Sequence, residues 1–169
     1  MIAPTGAERI LAIVGPGGIV GELSTIDGLP RSASVATLRD SQLTFVSRGA
    51  FQSFADDHPE VYRHLVTLLA ARLRDTDEMV AAGSFLPMKG CVARALLDLA
   101  EAFGQDLGKG RILIRQKVSQ SDVAAMAGIA RENVSRILND WMIRDKLVSR
   151  LSGYYCLENK ANLRREAAL

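Results

Sequence analysis

Two groups of side chains in this 169-residue chain have the types and spacing for recognition chemistry. The first lies in GELSTIDGLPRSASV, residues 21–35. Gly21 allows a ligand to approach the backbone closely, Glu22 offers a carboxylate, and Arg31, Ser32 and Ser34 offer a guanidinium and two hydroxyls. Such a loop suits a small anion, because an anion seeks backbone amides and a guanidinium, while a sugar hydroxyl seeks a carboxylate acceptor. The second group is Arg131, Glu132, Ser135 and Arg136. An arginine can donate two hydrogen bonds to guanine O6 and N7, and a glutamate can accept one from cytosine N4.

Other chemistries find less support. Cys91 and Cys156 stand 65 residues apart without a CxxC or Cys/His cluster, so they read as buried small hydrophobes in a reducing, cytoplasmic setting. His58 and His64 flank the start of a helical pattern with no nucleophile or metal spacing nearby, and no enzyme is expected. No apolar run approaches the ~18 residues of a membrane span, and the N-terminus lacks the basic-then-apolar layout of a secretory signal. The net charge of +2 conceals an asymmetry: residues 1–84 carry 7 Lys and Arg against 10 Asp and Glu, and residues 85–169 carry 14 against 9. A basic second half suits a polyanionic partner.

Three kinds of element must position these groups. Residues 1 to about 50 read as short strands punctuated by glycine, with RILAIV (9–14), SASVATL (32–38) and QLTFVS (42–47) as candidates and GPGG (15–18) as a turn. From about Pro59 to Gly83 the steps of four and three through Tyr62, Val66, Leu69, Leu73, Thr76, Val80 and Gly83 form a heptad seam on a long helix. A second stripe, Leu65, Leu68, Arg72 and Met79, lies beside it, so one face is expected on its own domain and the other on a partner helix. Asp56 and Asp57 are expected just ahead of that helix, at its positive end.

From Phe85 the pattern changes. Residues 86–103 read as a helix with Val92, Leu96, Leu99 and Phe103 on one face, followed by a Gly-rich turn, GQDLGKG, and a strand at 111–115. Ser119 with Asp122 forms a capping-box pattern, Gly128 ends a short helix, Ile129 plugs the turn, and a second helix from Arg131 turns Val134, Ile137, Leu138 and Trp141 inward. Helix, glycine turn and helix at this spacing is the helix-turn-helix pattern, whose second helix enters the major groove by its first turns. LVSRLSGYYCL (147–157) reads as a two-stranded wing turning at Ser152–Gly153.

The order of GEL…PRSA, a long helix and RENVSRIL resembles the Crp/Fnr family of bacterial transcription regulators, most closely its cyclic AMP receptor protein branch, from about Gly15 to Leu157. The resemblance implies an α+β chain: a partial antiparallel β-barrel of the cyclic-nucleotide-binding type (1–58), a dimerisation helix (59–84) and a winged helix-turn-helix domain (85–169). It implies ligand contacts from Gly21, Glu22, Leu23, Arg31, Ser32 and Thr76, with Glu22 on the ribose 2′-hydroxyl, Arg31 on the cyclic phosphate and Thr76 on the base. It implies base reading by Arg131, Glu132 and Arg136, with Ser135 on the same DNA-binding face and Ser119 on a phosphate. The implied partners are a palindromic double-stranded DNA site, a second copy through 59–84, and RNA polymerase. No tightly bound cofactor is implied; the effector is a cyclic nucleotide, cyclic AMP ahead of cyclic GMP.

Two departures are visible. Ala130 stands where relatives carry a serine before the arginine, and Asp77 stands where cyclic AMP sensors carry a serine, which leaves adenine and guanine both open. The family's barrel has about eight strands, which need well over ~50 residues, and residues 1–50 supply about four. The expectation is therefore a sensor truncated at its N-terminus, as a fragment or a late gene start in preference to a sheet completed by a partner, with exposed sheet edges. Two alternatives stay open: a ligand-independent DNA-binding regulator with a vestigial cradle, and a cyclic-nucleotide-binding regulatory module of another protein.

Overall fold

The structure is a computed structural model, and it describes residues 8–168. It forms two compact units, residues 14–76 and residues 77–168 together with residues 8–13. The division falls inside the long helix, between Thr76 and Asp77.

The first unit holds α1 (Glu22–Asp27), α2 (Arg48–Asp57) and most of α3 (Glu60–Phe85). α1 is bracketed by glycines, Gly21 at φ 81° and Gly28 at φ 75°, a left-handed conformation that side chains with a Cβ rarely adopt. Ser47 caps α2 by accepting a hydrogen bond from the Ala50 amide. Asp56 and Asp57 lie just ahead of α3, as expected, but they are also the last residues of a separate ten-residue helix, α2, that the Ser47 cap starts.

The strands expected at 9–14, 32–38 and 42–47 are not formed. Alternating side chains make a strand only when a neighbouring chain completes the hydrogen-bond ladder, and no such ladder forms at these segments among the described residues. Their apolar side chains lie open: Leu43 is 71% exposed and Phe45 80%. The turn expected at residues 15–18 is present, with the Gly18 amide donating to the Gly15 carbonyl at 3.1 Å.

The second unit carries the antiparallel sheet. After α4 (Met88–Phe103) come β1 (Gly104–Gly108), β2 (Arg111–Ile114), α5 (Gln120–Ala127), α6 (Arg131–Ile143), β3 (Val148–Leu151), β4 (Tyr154–Leu157) and α7 (Lys160–Glu166). The sheet is open, in the order β1-β2-β4-β3, so helices plus an antiparallel sheet give the α+β class expected. The stretch read as a glycine-rich turn is instead strand β1, Gly104 pairing with Ile114 and Gln105 with Leu113. The reversal is confined to Gly108, Lys109 and Gly110, all at positive φ.

The inward stripe of α4 and that of α6 meet in one core. Leu96, Leu138, Trp141, Tyr155, Leu157 and Leu163 are all less than 2% exposed. Cys91 and Cys156 are free and buried, as expected. α7 was not foreseen; Asn159 caps it, and Leu163 is its buried anchor.

On α3 the two stripes differ in exposure. Tyr62 (44%), Val66, Leu73 and Val80 (63%) of the heptad seam are open to solvent, whereas Leu65 is buried and Leu68, Arg72 and Met79 are half-buried.

Candidate functional site

The cradle is built around Gly21. The Arg31 guanidinium lies directly over it: a Cβ placed there would sit 1.2 Å from Arg31 Nη1 and displace it, and the positive φ of 81° favours glycine at this position. Arg31 Nη1 also donates to the Val20 carbonyl, a long contact at 3.5 Å. Glu22, 7% exposed, is the one buried charged side chain among the described residues. Its Oε1 pairs with Arg72 Nη1 of α3, and Arg72 Nη2 donates to the Ile19 carbonyl. Glu22 Oε2 is buried with no donor facing it. A carboxylate oxygen is an acceptor only, so this atom can take a hydrogen bond from a donor such as a hydroxyl.

Arg72, which spacing places on the second stripe of α3, is a further residue of the cradle. The available signal was an arginine among apolar positions, which must find a carboxylate if it is not to lie unpaired. The Arg48 guanidinium covers Gly28 and donates to the Ile26 carbonyl at the end of α1. Of the expected ligand contacts, Gly21, Glu22 and Arg31 are brought together. Leu23 and Ser32 flank them on the surface. Thr76 lies one turn beyond Arg72, and its Oγ1 donates to the Arg72 carbonyl at 2.8 Å.

The helix-turn-helix forms as its residues dictate. Ser119 Oγ accepts from the Asp122 amide at 3.1 Å while Asp122 Oδ2 accepts from the Ser119 amide at 2.8 Å, a complete capping box. Gly128, at φ 69°, ends α5 in the left-handed conformation, and its amide donates to the Ala124 carbonyl. Ile129 packs against the core. Ala130 is the N-cap of α6 and makes no side-chain cap bond, consistent with the departure noted in the sequence.

Val134, Ile137, Leu138 and Trp141 anchor α6, which leaves its other face outward. There Arg131, Glu132, Ser135 and Arg136 line a shallow open depression with Gln120 of α5 and Asn139. Arg136 Nη2 donates to Asn133 Oδ1 at 2.7 Å, one turn back, which ties the exposed guanidinium to its own helix. Asn139 was legible from spacing, since it lies four residues after Ser135 and three after Arg136 on the same face.

The wing, β3 and β4, turns through Ser152 (φ 51°) and Gly153 (φ 85°), the doubly left-handed two-residue turn of a tight hairpin. Arg150 stacks 4.0 Å from the Tyr155 ring centroid, and its Nη2 donates to Tyr155 Oη at 2.6 Å. At the base of the wing Glu158, the residue after β4, ties two strands: Arg111 Nε of β2 is 2.7 Å from Glu158 Oε2, and Ser149 Oγ of β3 donates to Oε1. The Ser149 hydrogen bond first, and then Arg111, hold the Glu158 carboxyl below the usual glutamate range. The stability this gives is present above the unfolded-state pKa and is lost as pH falls through the folded one. Melting curves over falling pH should therefore show an acid limb that is shallower in Glu158→Gln; parallel limbs would remove Glu158 from the wing's anchorage.

Among the described residues no helix is long and apolar enough to cross a membrane, and no His, Cys, Asp and Glu cluster is set to hold a metal.

Comparison with known proteins places both halves. The cyclic nucleotide-binding domain family matches residues 1–58, and the Crp-like helix-turn-helix domain family matches residues 92–166. The CRP-like cAMP-activated global transcriptional regulator of Mycobacterium tuberculosis is 35% identical over 161 residues, covering 95% of this chain and 68% of that protein. The cyclic AMP receptor protein of Thermus thermophilus is 37% identical over 134 residues, 79% of this chain and 58% of its own length. Among solved structures, the c-di-GMP responsive global regulator CLP of Xanthomonas campestris superposes with a TM-score of 0.67 at 22% identity, over 92% of this chain and 77% of that one. That likeness is one of fold. The chain thus spans from about three fifths to two thirds of the two relatives' lengths. A cyclic nucleotide-binding segment followed by a Crp-type reader of DNA places this chain in the Crp-like family of DNA-binding transcription regulators, which are not enzymes.

Proposed function

We propose that this chain acts as a dimer on a palindromic DNA site under the control of a cyclic nucleotide, cyclic AMP ahead of cyclic GMP. The observation that carries the ligand is the buried Glu22, paired with Arg72 through one oxygen and facing no donor with the other, beside the Arg31 guanidinium. A ribose 2′-hydroxyl would donate to Glu22 Oε2, Arg31 would neutralise the cyclic phosphate over Gly21, and Leu23, Ser32 and Thr76 would complete the contacts. The M. tuberculosis relative is named as cAMP-activated and the T. thermophilus one as a cyclic AMP receptor protein, which favours adenine.

In this reading residues 1–58 form the sensor, 59–84 the dimerisation helix and 85–169 the DNA reader. The open seam of Tyr62, Val66, Leu73 and Val80 would be buried against the same seam of a second copy. Arg131, Glu132 and Arg136 would read bases, Ser135 would lie on the same face, and Ser119 would hold a phosphate. RNA polymerase would be a further partner of the DNA-bound dimer in the cytoplasm. A second reading, a ligand-independent regulator, draws on the segments at 9–14, 32–38 and 42–47, which form no strand around the cradle among the described residues.

Titration of a palindromic duplex at fixed salt, with and without each nucleotide, separates the two. Cyclic AMP should raise the affinity of the wild type, and Arg31→Ala should abolish that response while leaving ligand-free DNA binding intact. An affinity indifferent to both nucleotides favours the second reading, and a response surviving in Arg31→Ala removes Arg31 from the cradle.

A further inference from the structure

Residues 8–13 precede the cradle in sequence, yet they belong to the compact unit that reads DNA. Three contacts hold them there. The Ile10 amide donates to the Ala125 carbonyl of α5 at 3.2 Å. Ile13 packs against the apolar core that underlies α4, α5 and α6. The Arg9 guanidinium lies against Gly128, so closely that a Cβ on that glycine would sit 1.3 Å from Arg9 Nη1.

The first contact answers a requirement of the motif. A helix leaves its last carbonyls without intrahelical donors. At the end of α5 both following amides, Gly128 and Ile129, donate to the same acceptor, Ala124 O. Ala125 O is therefore passed over by the turn, and Ile10 supplies the donor. The Arg9 contact adds a cation at the negative end of α5, where the helix dipole favours one. Gly128 meets the demand of its left-handed φ of 69°, and the Arg9 guanidinium rests over it.

We propose that residues 9–13 are a clasp that seats the turn between α5 and α6, so that the pose of the base-reading helix depends on a segment leading directly into the nucleotide cradle. Ile13 and Gly21 are separated by only eight positions in the sequence. The segment is also the RILAIV stretch with strand-like alternation. A sheet forming around the cradle would compete for the same backbone amides, Ile10 among them. Clasp and strand are two exclusive uses of one stretch, and exclusive uses are what make an element bistable. The inference rests on α6 being the base-reading helix.

The test compares Ile10→Pro, which removes the donor, with Ile10→Val, which keeps it, in the full chain. Each is titrated with a palindromic duplex and with a scrambled duplex at one salt concentration, and thermal unfolding is followed in parallel. Loss of one net hydrogen bond corresponds to a fold-change of about 2 to 10. The palindrome-to-scrambled affinity ratio should fall by that factor in Ile10→Pro, measured below its unfolding midpoint, and return in Ile10→Val. Ile13→Asp, which breaks the packing instead of the hydrogen bond, should lower the ratio in the same direction. A lower midpoint with an unchanged ratio would reduce the segment to a stabiliser and overturn the proposal. A higher affinity for the palindrome in Ile10→Pro would overturn it too, because the segment would then occlude DNA. Arg136→Ala run alongside separates the failures: if it shifts base preference and Ile10→Pro does not, the clasp alone is wrong, and if it shifts nothing, the assignment of α6 falls first.

Discussion

Trp141→Ala should unfold the DNA-reading unit at temperatures where the wild type is intact. Trp141 is fully buried in the core of the second unit, behind the outward face of α6. Removing an indole from such a site costs about 3–5 kcal/mol through lost transfer energy and the cavity left behind. A domain of this size has only ~5–15 kcal/mol of stability in total. At about 4–8 °C per kcal/mol for 60–100 residues, the midpoint of the reader should fall by more than ~10 °C, with specific DNA binding lost in the same range. Trp141→Phe supplies the contrast. Trp141 Nε1 finds no acceptor in the core, so phenylalanine keeps most of the apolar bulk and removes an unpartnered N–H. It should cost well under half as much. Thermal unfolding of the three proteins decides it, and equal losses in both variants would mean that the indole N–H has a partner after all.

Arg136→Ala should change what the protein reads rather than whether it folds. The side chain is exposed, and its partner is Asn133 on the same helix. Its removal from the free protein therefore leaves the core untouched. A bidentate arginine–guanine contact contributes roughly 1–3 kcal/mol of discrimination. Binding to a panel of duplexes substituted one position at a time should show preference relaxed at one base pair of each half-site. A uniform loss across the panel would make Arg136 a phosphate contact instead. Asn133 refines the expectation, because the guanidinium must exchange the Asn133 carbonyl oxygen for guanine acceptors on binding. Asn133→Ala should thus leave base preference in place while loosening the ready-made pose.

The helix-turn-helix was legible in the sequence because its determinants are local. Ser119 and Asp122 are three residues apart, Gly128 needs a left-handed φ whatever surrounds it, and Val134, Ile137, Leu138 and Trp141 repeat at the period of a helix. The wing turn at Ser152–Gly153 was legible for the same reason. The strand β1 was not: glycines at 104, 108 and 110 signal a turn, and only pairing with β2 across the hairpin makes Gly104–Gly108 a strand. The segments at 9–14, 32–38 and 42–47 failed in the opposite sense. Their alternation was clear, but a strand exists through its neighbours, and no ladder forms there among the described residues.

The sequence by itself determined the family, the capped and glycine-terminated helix pair, the outward chemistry of α6 and the presence of Gly21, Glu22 and Arg31. Those follow from residue types at short, fixed spacing. Only the tertiary structure decided that Arg72, fifty positions from Glu22, takes one oxygen of that carboxylate and leaves the other open. It alone decided that residues 9–13 close on the turn of the DNA reader. Both depend on which distant backbone and side-chain groups remain unsatisfied once the local elements have formed, and that balance is struck only in three dimensions.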